Sequence, residues 1–249
     1  MKTSIVARFA FAAALTIGAA GQAAQAADLS TQAPVYKAIP VEPWSPWQIR
    51  LRALGVLPES GNSTVNVAAA PGLSSPFSGL DINNQVIPEL DISYYFTPNI
   101  AAELILGVTK HHITGTGALG GLDIGKAWLL PPTLTFQYHF TNFGAFQPYL
   151  GVGVNYTVFF SQSAANVVTP AGLPAAGLST TYLNIKNAPG LALQAGFDYM
   201  IDRHWGLNFD VKKLFLRADY NAIVNGTIAV NGRANIDPWL IGGGITYRF

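Results

Sequence analysis

Apolar residues recur at every second position in eight stretches of the chain, and this alternation predicts the fold. In the last stretch Trp239, Ile241, Gly243, Ile245, Tyr247 and Phe249 share one face, while Leu240, Gly242, Gly244, Thr246 and Arg248 share the other. A period of two belongs to a β-strand whose faces meet different surroundings. The pattern repeats over residues 47–57, 89–96, 100–108, 134–140, 150–156, 191–199 and 205–212. The second face is often polar. Gln48, Arg50 and Arg52 oppose Ile49 and Leu51, and Glu89, Asp91 and Ser93 oppose Leu90 and Ile92.

The connections alternate in length. Thr97-Pro98-Asn99, residues 141–145 and residues 202–204 are short turns, polar or containing glycine. Residues 58–84, 110–130, 161–187 and 217–237 are long and rich in Gly, Pro, Asn or Ser, which predicts loops. One position disturbs the pattern: alternation continued from Phe209 puts Lys213 on the apolar face. A β-bulge near Lys212-Lys213 would shift the register and turn Leu214 and Leu216 outward; without one, those leucines face inward.

Composition turns a strand pattern into a membrane architecture. Half of the residues are apolar and 11% are charged, against roughly 25% charged in soluble domains. Beyond residue 26 no apolar run approaches the roughly 20 residues a spanning helix needs. A closed barrel is the other architecture that satisfies every backbone group in lipid. The chain is therefore expected to be an all-β protein, an eight-stranded antiparallel transmembrane β-barrel with short periplasmic turns and long extracellular loops. Aromatic residues cluster where two interfacial girdles would lie: Trp44, Trp47, Phe96, Phe140, Phe146, Tyr199, Trp205, Tyr247 and Phe249 at one end, and Trp128, Phe160, Phe215 and Trp239 at the other.

The first residues fix the expected compartment. Lys2 and Arg8, an apolar run from Phe9 to Ala20, and Ala24-Gln25-Ala26 form a Sec-type signal peptide over residues 1–26. A periplasmic segment 27–46 and the barrel, 47–249, would follow, in a bacterial outer membrane. With no cysteine there is neither a disulfide framework nor a thiolate metal site. A net charge of +1 without a basic run offers nothing to nucleic acid.

The predicted inner face brings Arg50, Arg52, Lys212 and Arg248 together with Glu89, Asp91, Glu103, Asp198 and Asp210. An eight-stranded barrel is only wide enough for its own side chains, so these charges are expected to pair into a plug. The competing reading, an ion path, is disfavoured by near-neutral mixed charge. His139 and Ser93 fall on inward faces, but no nucleophile motif accompanies them, and His111-His112 lacks metal-ligand spacing. No catalytic group, metal or cofactor is expected.

Three local sequences carry a resemblance to a known family. They are Trp47-Gln48-Ile49-Arg50-Leu51-Arg52-Ala53, the turn region Tyr95-Phe96-Thr97-Pro98-Asn99-Ile100-Ala101-Ala102-Glu103, and Phe146-Gln147-Pro148-Tyr149-Leu150-Gly151-Val152-Gly153. With the ending Pro238-Trp239 to Phe249, they resemble the OmpW family of outer-membrane proteins, AlkL-like members included. The resemblance implies loops enclosing a hydrophobic pocket that passes small apolar molecules towards a lateral opening in the wall. Leu54, Val56 and Phe159 are the inward apolar positions expected to continue that pocket downwards, and Phe249 resembles a barrel-assembly signal. The partners expected are outer-membrane lipid and lipopolysaccharide, small hydrophobic solutes and the barrel-assembly machinery. Apolar loop residues such as Ala68-Ala69-Ala70, Leu73, Phe77, Val167, Val168 and Leu178 fit such a pocket or packing among the loops. The alternative function is a structural or adhesive barrel acting as a surface receptor through its loops.

Overall fold

The computed structural model describes residues 45–249; the expected leader, most of segment 27–46 and Trp44 lie outside them. In chain order the strands are β1 (Trp47–Leu57), β2 (Thr64–Asn66), β3 (Ser78–Ile82), β4 (Gln85–Thr97), β5 (Ile100–Leu106), β6 (Thr109–Gly117) and β7 (Asp123–Leu130). They continue as β8 (Thr133–His139), β9 (Phe146–Ala164), β10 (Thr180–Ile185), β11 (Ala188–Met200), β12 (Trp205–Val224), β13 (Ile228–Asn235) and β14 (Trp239–Arg248).

Eight of these close on themselves. Going round, β1 pairs with β4, then β5, β8, β9, β11, β12 and β14, and β14 pairs with β1 again, each step antiparallel. These are the eight strands the alternation predicts. Closure leaves no unpaired edge, which is what a sheet in lipid requires. Leu51, Val152, Leu191, Leu207 and Ile245 stand on the exposed outer face. At the short-turn end that face carries contacting rings, among them Trp47 with Tyr94 (4.9 Å), Trp205 with Tyr247 (4.8 Å) and Tyr138 with Phe140 (5.0 Å). At the other end Trp128 stacks on Phe160 at 6.4 Å.

Of the four long connections, residues 110–130 and 217–237 depart from expectation, being built largely of strands, whereas 58–84 and 161–187 are mostly loop with short strands in them. β9 and β12 run on past the ring to lengths of 19 and 20 residues. Above the ring β7 replaces β8 as a partner of β9, and β6 and β3 add to it. β10 and β13 flank the upper half of β12, and β2 adds to β13. The barrel wall thus extends beyond the membrane as a sheeted collar.

The polarity of the two faces inverts at that boundary. Along β12, Asn208, Asp210 and Lys212 point inward and Leu207 and Phe209 outward; higher up Leu214, Leu216, Ala218 and Tyr220 are buried while Arg217 and Asp219 are exposed. Register against β11 runs without a shift from Met200↔Gly206 to Gly190↔Leu216. No bulge occurs at Lys212-Lys213. The sequence pattern changes because the solvent outside the wall changes from lipid to water, and an apolar core replaces a polar one inside it. That core gathers Val65, Leu80, Ile113, Leu183, Leu216, Tyr220 and Val230.

Lys213 itself points outward at the rim, not into the middle of the bilayer. Its ammonium donates to Glu59 Oε2 (2.6 Å) and lies 4.9 Å from the centre of the Trp239 ring, whose Nε1–H donates to Glu59 Oε1 (3.0 Å). These two donors hold the Glu59 carboxyl below its usual range. A depressed folded pKa means that the contact stabilises above the ordinary carboxylate range and is lost as pH falls through the depressed value. Trp239 emission should accordingly shift on acidification below that range, and Glu59→Gln should remove the shift.

Candidate functional site: a plugged lumen under an apolar cavity

Register assembles the lumen. Antiparallel pairing sets Arg50 opposite Asp91 and Arg52 opposite Glu89 on β1 and β4, and Gln194 opposite Lys212 on β11 and β12. Inside a closed barrel the same layer meets across the lumen. Arg50 forks onto Asp198 of β11 (Nε to Oδ1 3.0 Å, Nη2 to Oδ2 2.7 Å) and donates through Nη1 to Ser93 (2.9 Å) and Glu103 (3.2 Å). Arg52 donates to Glu89 Oε1 through Nε (2.8 Å), and its Nη2 reaches Asp91 at 2.7 Å. Lys212 donates to Asp210 (2.5 Å) and lies 3.7 Å from Glu103. Gln194 ties Glu103 (2.9 Å) to Asp210 (2.7 Å), which also accepts from Tyr149 Oη (2.9 Å).

Arg50, Arg52 and Lys212, and Glu89, Asp91, Glu103, Asp198 and Asp210, are all buried. Arg248 sits one layer lower and half-buried, joined through neutral groups: Gln48 (2.7 Å), Tyr95 (3.1 Å) and Gln147 (3.3 Å). His139 and Ser93 belong to the same packing. His139 lies between the Tyr95 and Tyr149 rings at 5.0 and 4.8 Å and pairs with Gln137 (2.9 Å), whereas Ser93 donates to Asp91 (3.3 Å). In the collar His111 bonds to the Asn83 carbonyl (2.7 Å) and His112 pairs with Asp123 (3.0 Å). The interlocked side chains leave no straight aqueous path through this level.

Directly above the plug lies an apolar cavity of about 40 Å³. Leu54 and Val56 of β1, Ile105 of β5, Leu214 and Leu216 of β12 and Leu240 of β14 form its walls, and Glu89 lies at its floor. Smaller cavities of about 20, 10 and 20 Å³ stack on it. Each shares walls with the next: His111, Leu129 and Ile236, then Ile82, Ile113 and Ile185, then Leu80, Ile124 and Tyr220. Phe159 lines the second of the stack. Of the apolar loop residues, Ala70, Leu73 and Leu178 pack on the apolar core, whereas Phe77, Val167 and Val168 are exposed and meet neither expectation. The sequence pattern leaves Leu214 and Leu216 open between lipid face and lumen and does not assign them, or Leu240, to the pocket; the unbroken register turns all three inward.

The wall beside the main cavity has a break in its backbone ladder. Pairing of β4 with β5 ends at Leu90↔Leu106, and that of β5 with β8 at Ile105↔Thr133. The next ladder, β6 with β7, starts at Thr109↔Leu129. Residues 106–108 and 130–132 lie between, and Pro131 and Pro132 have no N–H with which to close it. Gly107, Pro131 and Thr133 from this region line the cavity.

The chain is similar to known proteins over the whole barrel. The OmpW family profile matches residues 46–249. The uncharacterized outer-membrane protein y4mB of Sinorhizobium fredii is 54% identical over 205 residues, covering 82% of this chain and 80% of that one. Outer membrane protein W of Salmonella typhimurium is 34% identical over 192 residues, 76% of this chain and 86% of that one. The crystal structure of the outer membrane protein OprG from Pseudomonas aeruginosa superposes with a TM-score of 0.69 at 25% identity, covering 83% and 97% of the two chains. The closed eight-strand ring, its apolar outer face and these matches agree: the chain belongs to the OmpW family of outer-membrane β-barrel proteins.

Proposed function

We propose that the protein takes up small hydrophobic molecules passively, through the stacked cavities of the collar and out through the broken ladder at residues 106–108 and 130–132 into the membrane. The observation that carries this reading is the apolar cavity itself, which stands on a buried, paired plug and against a gap in the wall's backbone ladder. An apolar solute gains roughly 25 cal/mol for each Å² removed from water, so the collar favours its entry. The paired charges beneath oppose its passage straight down, since breaking them is costly. A sideways exit into hydrocarbon requires neither.

The test is uptake of a labelled apolar solute by cells lacking the gene and complemented with variants. Leu54→Arg and Val56→Arg place a charged head in the main cavity, and each should slow uptake to nearly the rate of the deletion strain, a loss of about tenfold or more. Unchanged uptake in the deletion strain and in both variants overturns the proposal. Loss of adhesion on trimming the collar around Phe77, Val167 and Val168, with solute flux intact, would instead support the receptor reading.

A further inference from the structure

The floor of the main cavity has an acceptor with nothing to accept from. Glu89 is 1% exposed, and its Oε1 is held by Arg52 through Nε at 2.8 Å, with Lys212 Nζ 3.9 Å away. Its Oε2 is buried and has no hydrogen-bond partner. The other polar groups on the cavity wall are satisfied. Thr133 donates to the Pro131 carbonyl (3.0 Å) and accepts from Asn155 (3.0 Å), Thr109 and His111 pair with each other (3.1 Å), and His111 bonds to the Asn83 carbonyl (2.7 Å). A buried carboxylate oxygen without a donor, on a residue that lines an otherwise apolar cavity, is a costly arrangement, and it is relieved by an N–H or O–H brought in from outside.

We propose that the cavity selects amphiphiles: molecules with an apolar body and one hydrogen-bond-donating head, a hydroxyl or an ammonium, which seats on Glu89 Oε2 while the body lies against Leu54, Val56, Leu214 and Leu240. This rests on the uptake reading above and specifies its substrate class. The balance of charge beneath the cavity sets the sign of the preference. Arg50, Arg52 and Lys212 are already engaged there by Glu89, Asp91, Glu103, Asp198 and Asp210, so no cation is left over to meet an anionic head. A donor is welcomed and a carboxylate repelled, and an alkane gains nothing from the head position.

The replacement Glu89→Gln reverses the polarity of the head site. Arg52 has donors and no acceptor, so the glutamine carbonyl must stay with Arg52 and its amide N–H turns to the cavity. The experiment measures displacement of an apolar fluorescent probe from the full chain in lipid nanodiscs, with empty nanodiscs as background. The competitors are octane, octan-1-ol, octylamine and octanoate, which share a chain length.

The wild-type protein should hold octanol and octylamine at least about tenfold more tightly than octane and octanoate. Glu89→Gln should abolish the preference for octylamine over octanoate or invert it. Equal affinity for octane and octanol in the wild type, or an unaltered order in a folded Glu89→Gln barrel, overturns the selection while leaving hydrophobic uptake intact. Failure of all four to displace the probe overturns both. Heat-modifiable gel migration reports folding of the variant, and the wild-type series decides the matter even where the variant does not fold.

Discussion

Arg50→Met should destabilise the barrel by about 3–5 kcal/mol, read as a shift of the urea unfolding transition in lipid vesicles followed by tryptophan fluorescence. Arg50 is the hub of the plug. Its guanidinium reaches Asp198, Asp91 and Glu103, and the aromatic ring of Tyr149 lies 5.3 Å from it. Methionine keeps much of the volume and removes all of the charge, leaving three buried carboxylates around an apolar chain. What is lost is chiefly the compensation of those carboxylates and not the favourable energy of the pairs, because desolvation has already offset most of that. Combining Arg50→Met with Asp198→Asn should therefore cost less than the sum of the single changes, since the second removes one of the stranded charges. Additive costs would show that the two side chains do not depend on each other.

Much of this plug was legible in the sequence. Arg50, Arg52, Glu89, Asp91, Asp198 and Asp210 sit at alternate positions between residues that must face lipid, so parity alone sends them inward. Register then decides partners, as with Arg50 opposite Asp91, and the closed ring brings β11 across to β1. The same parity places Leu54, Val56 and Phe159 inward, and all three line cavities.

The collar was not legible in the same way. Thr109 and His111 are buried on β6 while Lys110 and His112 face water, and Gly115 and Gly117 follow, so the stretch lacks the apolar alternation of a lipid-facing strand. Strands that stand in water with a narrow shared core carry a different code from strands in lipid. The free oxygen of Glu89 depends on how Arg52 divides its donors, which no pattern along a chain encodes. The wall break was visible only as Pro131-Pro132, which reads equally well as the end of a loop.

The adjacent lysines of β12 should respond very differently to the same replacement. Lys212→Met should cost about 3–5 kcal/mol, because Lys212 is fully buried, bonds Asp210 at 2.5 Å and lies within 4 Å of Glu103 and Glu89. Lys213→Met should cost about 1 kcal/mol or less, because its carboxylate partner Glu59 is exposed at the rim and water and lipid headgroups can take the place of both. The contrast is a direct reading of register. A bulge between the two would have brought Leu214 and Leu216 to the lipid face, and the floor of the cavity would then have lost two of its apolar walls. Continuous pairing through Leu193↔Lys213 and Gln194↔Lys212 keeps one lysine in the plug and the other at the rim. Because the leucines that follow keep the inward parity of Lys212, the same strand supplies first the charge that closes the lumen and then the surface that holds an apolar solute above it. Similar unfolding shifts for the two variants would mean that the plug ends below Lys212, and the cavity would then be open to the polar lumen.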